Sequence, residues 1–253
     1  MLTFKHAGRM GDVLYSLYYA TRYAQGQPFD YLLRTGVRAY DPSNRPHMME
    51  REDALFMSPL LEYQPYLNSV QIAESDSELP FDCVVLDKFR SNMSSIIGKE
   101  IRTWYYERGR ILEGEFARKV LSAPVLPERL DKFAVCFTPR YRQTFDISVL
   151  RKYQDQLVFV GLPDEWRSFS AIYFPVEYHP VKDALELLSF VQSCRGFIGN
   201  VSGTFAIMEC AKVRRILCLA PDGGNVRVYG NGFEASNENE LEAYINQIGG
   251  NKP

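Results

Sequence analysis

From Arg195 to Pro221 the chain reads R-G-F-I-G-N-V-S-G-T-F-A-I-M-E-C-A-K-V-R-R-I-L-C-L-A-P. The apolar run Phe197-Ile198 ends at Gly199-Asn200, a small-residue turn follows at Ser202-Gly203, and Phe205, Ile207, Met208 and Ala211 then recur at roughly helical spacing. This pattern predicts a strand, a tight turn and a helix ending near Lys212-Val213. Ile216 to Ala220 is an unalternating apolar run, as expected of a parallel strand covered on both faces. Together they form a βαβ unit whose first turn places the N–H groups around Ser202, Gly203 and Thr204 at a helix start. Unpaired donors and the positive dipole end suit a phosphate there.

Working outward, the N-terminus repeats the pattern. Leu2 to Lys5 is a short apolar-leaning start, His6-Ala7-Gly8-Arg9-Met10-Gly11-Asp12 is a glycine-bearing turn, and Val13, Leu14, Leu17, Tyr18 and Thr21 form one helical stripe. Asp12 falls at the helix start, where a carboxylate accepts from free N–H groups and is favoured by the dipole. A plain cap and a chemical role explain it about equally. Further strands are predicted at Tyr31-Leu32-Leu33, Val70 to Ile72 and, as a buried one, Phe81 to Asp87, with a helix beginning near Phe56. The acidic loop Glu74 to Glu78 reads as a solvated turn. Ile96 to Val120 is rich in helix formers with balanced charge, and Trp104, Tyr105 and Tyr106 within it read as core or as an acceptor pocket.

Ser122-Ala123-Pro124-Val125-Leu126-Pro127 stops that helix and resets the hydrophobic period, dividing the chain into 1–125 and 126–253. The second half restarts with strand Phe133 to Phe137, a basic turn Thr138-Pro139-Arg140-Tyr141-Arg142-Gln143, and a helix through Val149-Leu150. Strand Leu157 to Gly161, a short strand near Ile172 to Phe174, and a helix Asp183 to Gln192 lead to the βαβ unit. An irregular Val226 to Phe233 and a last amphipathic helix from Leu241 to Ile248 follow. Alternation of strands and helices through both halves implies an α/β protein of two doubly wound, Rossmann-like domains facing each other across a cleft.

Bulk properties narrow the classes. The 253 residues are 46% hydrophobic and 24% charged, with a formal charge of -2, so a folded globular protein is expected and an overall basic field for nucleic acid is not. The five cysteines show no C-x-x-C spacing and read as reduced core residues. His6, His47 and His179 have no metal-binding spacing, and neither a G-x-S-x-G elbow nor a G-x-x-x-x-G-K-[ST] loop is present. The segment M-L-T-F-K-H-A-G-R lacks the apolar core of a signal peptide, and no window approaches ~18 uncharged apolar residues, so a cytoplasmic location is expected. Asn92-Met93-Ser94 and Asn200-Val201-Ser202 fit the glycosylation pattern but carry no information without export.

Arg9-Met10-Gly11-Asp12-Val13-Leu14 before an apolar helix, and Phe197-Ile198-Gly199-Asn200-Val201-Ser202-Gly203 before a helix and buried strand, resemble the first and last signatures of the ADP-heptose:lipopolysaccharide heptosyltransferases and their glycosyltransferase relatives. Phe81 to Asp87 and Phe159 to Glu165 sit where that family has its middle strands, so the resemblance spans nearly the whole chain. It implies a GT-B fold, with the acceptor held mainly by 1–125 and a nucleotide-sugar donor by 126–253. By the same resemblance Asp12 is the general base, and the acceptor lies about His6, Arg9 and Gly11. Ser202, Gly203 and Thr204 cradle the donor diphosphate, Arg140 and Arg142 neutralise it without metal, and Glu209 holds the donor ribose. No cofactor beyond the nucleotide-sugar co-substrate is implied. His6 alternatively reads as a hydrogen-bonded structural histidine, and Glu209 as a solvent-facing helix residue.

The chain also departs from that family. It has Val201-Ser202-Gly203 and Ala206 where the heptosyltransferases carry Asp-(Ser/Thr)-Gly and then a His, and Gln143 where they place a Lys. Three readings follow: an inverting, metal-independent glycosyltransferase acting on a glycan or small hydroxyl acceptor; a transferase acting on a hydroxymethylated DNA base, which the charge disfavours; and a catalytically silent relative that binds a nucleotide or glycan.

Overall fold

The computed structural model describes residues 1–39, 46–88, 113–139, 141, 143, 145–220 and 226–250. The first half contributes β1 (Thr3–His6), α1 (Met10–Tyr23), β2 (Phe29–Arg34), α2 (Arg51–Glu62), β3 (Leu67–Ala73) and β4 (Val84–Val85). The second contributes β5 (Phe133–Cys136), a 3₁₀ segment (Ile147–Gln156), β6 (Leu157–Phe159), α3 (Pro163–Ile172), β7 (Glu177–Tyr178), α4 (Ala184–Ser193), β8 (Gly196–Gly199), α5 (Gly203–Ala211), β9 (Arg215–Cys218), β10 (Gly232–Ala235) and α6 (Glu238–Gly250).

Among the described residues the strands form two sheets, a four-stranded one in the order β3-β2-β1-β4 and a six-stranded one in the order β10-β9-β8-β5-β6-β7. All the strand pairs in both are parallel. Counted from its own first strand β5, the larger sheet runs 3-2-1-4-5-6, the doubly wound order whose direction reverses between β5 and β8. Its central strands β5, β8 and β9 are buried throughout, which is why they read as unbroken apolar runs. Gly199 is required where β8 leaves the sheet: a Cβ there would lie 2.5 Å from the Cys136 carbonyl oxygen and 2.8 Å from the Phe197 ring. Because the first neighbour is backbone, Gly199→Ala is expected to destabilise the protein by about 1–3 kcal/mol, read as a lowered thermal midpoint. An unchanged midpoint would show that the two strand ends part freely.

Two hydrophobic clusters form the core, a larger one shared by both sheets and a smaller one, about Phe133, Phe159, Phe169 and Ile216, in the second half. The larger cluster runs from Phe4, Leu14 and Leu17 through Met57 and Leu60 to Leu188, Phe205 and Met208. Helix α1 packs on α5 and α2 on α4, so the junction between the sheets is a helix layer. The proline-bearing connection is stitched to both halves. Val120 and Leu121 donate their N–H groups to the Cys210 carbonyl, and the Gln64 amide accepts from Ser122 N at 2.9 Å while donating to its carbonyl at 3.0 Å.

The structure corrects several sequence expectations. Of Phe81 to Asp87 only Val84–Val85 is strand, and Phe81 is fully exposed, because β4 is a short edge strand preceded by a turn. The strand expected near Ile172 is instead the end of α3, with β7 lying at Glu177–Tyr178. The helix expected through Val149-Leu150 is 3₁₀. The acidic loop, by contrast, is the solvated turn expected, with Arg34 bonding Asp76 at 2.9 Å and Arg51 bonding Glu74 at the surface. Most of Ile96 to Val120, including Trp104, Tyr105 and Tyr106, lies outside the described residues. The cysteines are free thiols, four of them buried, and burial pushes Cys194 and Cys210 up to about 12. Among the described residues no helix is long and apolar enough to cross a membrane.

Candidate active site

In an open parallel sheet the strand order reverses at a point where two crossovers depart to opposite faces, leaving a crevice beyond the strand ends. In the larger sheet that point lies between β5 and β8. The turn that leaves β8 there carries Asn200 to Thr204. Between Gly196 and Ala211 only Ser202, Gly203 and Thr204 escape full burial. Ser202 caps α5, its hydroxyl accepting from Phe205 N at 3.0 Å. Among the described residues no main-chain group accepts from the Gly203 or Thr204 N–H, so both donors point out of the helix end as an anion site requires.

The second glycine turn meets the first. A Cβ on Gly203 would lie 2.7 Å from Met10 Sδ, and one on Gly11 would lie 3.8 Å from Ala206 Cβ. Further along, the Lys212 ammonium at the end of α5 lies 5.7 Å from the ring centroid of Tyr18 in α1. Helices α1 and α5 therefore run parallel, with small residues at the contact and N-termini side by side. Each N-terminus carries roughly half a positive charge from its dipole. Two aligned ends repel one another, and an anion held between them relieves both.

Asp12 lies in the first turn of α1, 9% exposed. Its Oδ2 accepts from Arg9 N at 3.0 Å, so the carboxylate closes the helix start and is fixed in place. Arg9 and Gly11 beside it are partly exposed. Arg140 and Arg142 lie outside the described residues.

Two sequence assignments change. His6 is fully buried, and its Nδ1 accepts from Gly8 N at 2.8 Å; it shapes the turn before α1, which matches its alternative reading as a structural histidine. Glu209 is also fully buried, neither solvent-facing nor open to a ribose. Its Oε2 accepts from Arg215 Nε at 2.5 Å, while its Oε1 pairs with Lys212 and accepts from Tyr229 N at 3.3 Å. It also sits six residues beyond Gly203 along α5, about 9 Å from the helix start.

No family model matches the sequence, and no curated protein matches it by sequence. Similarity emerges in the fold. The Escherichia coli heptosyltransferase WaaC with ADP superposes with a TM-score of 0.62 at 10% identity, over 98% of this chain and 99% of that one. The same enzyme with ADP-2-deoxy-2-fluoro heptose gives 0.61 at 9% identity, over 97% and 99%. A glycosyl transferase of family 9 from Veillonella parvula gives 0.56 at 11% identity, over 99% and 91%. This chain has the heptosyltransferase fold. The similarity extends along 91–99% of the length of these neighbours.

Within the heptosyltransferase fold, the structure adds residues that sequence reasoning passed over. Glu165, in the first turn of α3, accepts from Leu162 N at 3.2 Å and bonds the Thr138 side chain, and burial raises its pKa. Cys136 Sγ stands 4.0 Å from its Oε2 and also bonds the Thr204 side chain. Thr138, Glu165 and Thr204 thus converge at the β5–β8 crevice. The G-L-P-D-E run at Gly161 to Glu165 was the available signal, a strand end followed by a proline-started helix. Val201 and Ala206 are buried in the core, Ala206 opposite Gly11, and they add no polar group to the turn. Among the described residues no group of three His, Cys, Asp or Glu side chains is placed to hold a metal ion.

Proposed function

We propose that this protein is an inverting, metal-independent glycosyltransferase that moves a sugar from a nucleotide-sugar donor to a hydroxyl of a glycan or small acceptor. The observation that carries this reading is the pairing of helix starts, in which Met10 and Gly11, the residues just before the fixed carboxylate Asp12, meet Gly203 and Ala206 at the anion-seeking turn. In this reading residues 1–125 hold the acceptor and 126–253 the donor. Asp12 takes the proton of the acceptor hydroxyl as its oxygen attacks the anomeric carbon. The bond from that carbon to the donor phosphate oxygen breaks, and the nucleoside diphosphate leaves with the electron pair. The Gly203 and Thr204 N–H groups, with Arg140 and Arg142, stabilise its charge. The WaaC structures with ADP and an ADP-heptose analogue make ADP the first nucleotide to test.

The test is thermal unfolding of the purified protein with ADP, UDP, GDP and CMP, with and without chelator. A nucleotide at 100 times its Kd contributes about 2.7 kcal/mol, which for a chain of this size raises the midpoint by roughly 5–10 °C. The rise is expected with one nucleoside diphosphate and is expected to persist in chelator. A rise that chelator abolishes would refute metal independence, and no rise with any nucleotide would refute the donor site. The apolar Val201 and Ala206 support a second reading, a silent nucleotide-binding relative. That reading predicts the same stabilisation without turnover on any hydroxyl acceptor.

A further inference from the structure

Asn200 ends β8 and is 1% exposed. Burying a carboxamide costs free energy unless each of its polar atoms finds a partner, and the partners here belong to another loop. Its Oδ1 accepts from Thr138 N at 3.0 Å, and its Nδ2 donates to Thr138 O at 2.8 Å and to Tyr141 O at 2.5 Å. Thr138 and Tyr141 flank position 140 in the chain that leaves β5. The amide therefore fastens the loop leaving β5 to the turn leaving β8, across the reversal point of the sheet. Only a planar group with an acceptor and two donors does this with one side chain.

We infer that Asn200 is a positioning residue for the donor diphosphate, holding the β8 turn, with its Gly203 and Thr204 N–H groups, in register with the chain leaving β5 at Thr138 and Tyr141. This rests on the glycosyltransferase reading. Donors that stabilise a diphosphate must be held in place, and displacement of the turn by even an ångström weakens their contacts. Among the described residues the hydrogen bonds of the Asn200 side chain go to main chain, and they hold the turn in that place.

Inorganic pyrophosphate is the probe, because it is independent of the nucleotide base and of the sugar. Titration calorimetry on wild type and Asn200→Ala is expected to show at least a tenfold rise in Kd for pyrophosphate. Hydrogen exchange is expected to show at least a tenfold loss of protection at Thr138 N–H, with α4 and β9 unchanged. The nucleoside of the best-stabilising nucleotide is expected to bind both proteins equally, a split that general loosening would not produce. If Asn200→Ala does not fold, Asn200→Ser and Asn200→Asp make the same comparison. Unchanged pyrophosphate affinity in a variant with lost Thr138 protection overturns the inference, as does unchanged protection. Wild-type protein that binds neither pyrophosphate nor any nucleoside diphosphate refutes the glycosyltransferase reading itself, and the positioning role with it.

Discussion

Asp12→Asn is expected to lower turnover by about 10³-fold while leaving donor binding and stability nearly unchanged, since general-base groups typically contribute ~10²–10⁴. Asparagine has the same shape and keeps an oxygen to accept from Arg9 N, now bonded at 3.0 Å. The helix start is therefore preserved, apart from the lost charge–dipole term of about 0.3–1 kcal/mol. An amide nitrogen has no lone pair available for a proton at neutral pH, so only the chemical step is removed. Asp12→Ala, by contrast, deletes the acceptor for Arg9 N and is expected to destabilise by about 1 kcal/mol as well. Turnover of Asp12→Asn with true substrates and its nucleotide affinity are the two measurements. A variant that turns over like wild type would leave Asp12 as a helix cap and nothing more.

The sequence carried the periodic elements because their burial is one-sided or complete. The stripe of α1 and the unbroken run of β8 announce themselves through apolar spacing. Two short elements, β4 and β7, did not. Each has two residues and sits at or near a sheet edge, where no apolar pattern is required and neighbouring aromatic residues mislead. For the site, the glycine turns at Gly11 and Gly203 were readable one at a time. That Met10 touches Gly203 is a tertiary fact with no local signature. Asn200 shows the same limit. Its sequence context suggests only a glycosylation pattern, while its partners lie about sixty positions earlier in the chain. The burial of Glu209 is illegible for a related reason: nothing in the spacing of a helix says that the arginine six residues on will turn back to meet it.

That arginine is the subject of the largest expected stability effect. Arg215 and Glu209 are both fully buried, and Arg215 spends its remaining donors on the carbonyls of Val213 at 2.7 Å, Tyr229 at 2.6 Å and Asn231 at 3.2 Å. Lys212 pairs with the other oxygen of Glu209 from a left-handed backbone, φ 54°, that closes α5. Burial lowers the Lys212 pKa, and the nearby carboxylate opposes that shift. The hydroxyl of Tyr15, whose ionisation the same burial and the Glu209 charge resist, finds no hydrogen-bond partner among the described residues. Arg215→Met leaves Glu209 charged and buried against these groups, with Lys212 as its remaining cation. Removing one member of such a pair costs about 3–5 kcal/mol, or roughly 10 °C in midpoint for a chain of this size. Replacing both, as Glu209→Leu with Arg215→Met, removes the uncompensated charge and is expected to recover most of the loss. A fall of less than about 2 °C in Arg215→Met would mean that water reaches the pair and screens it. The double variant also decides what Glu209 is for. If it folds and binds the nucleotide as wild type does, Glu209 serves to tie α5 to β9. If it folds and has lost the nucleotide, the aim of α5, and with it the turn at Gly203, depends on this charge pair.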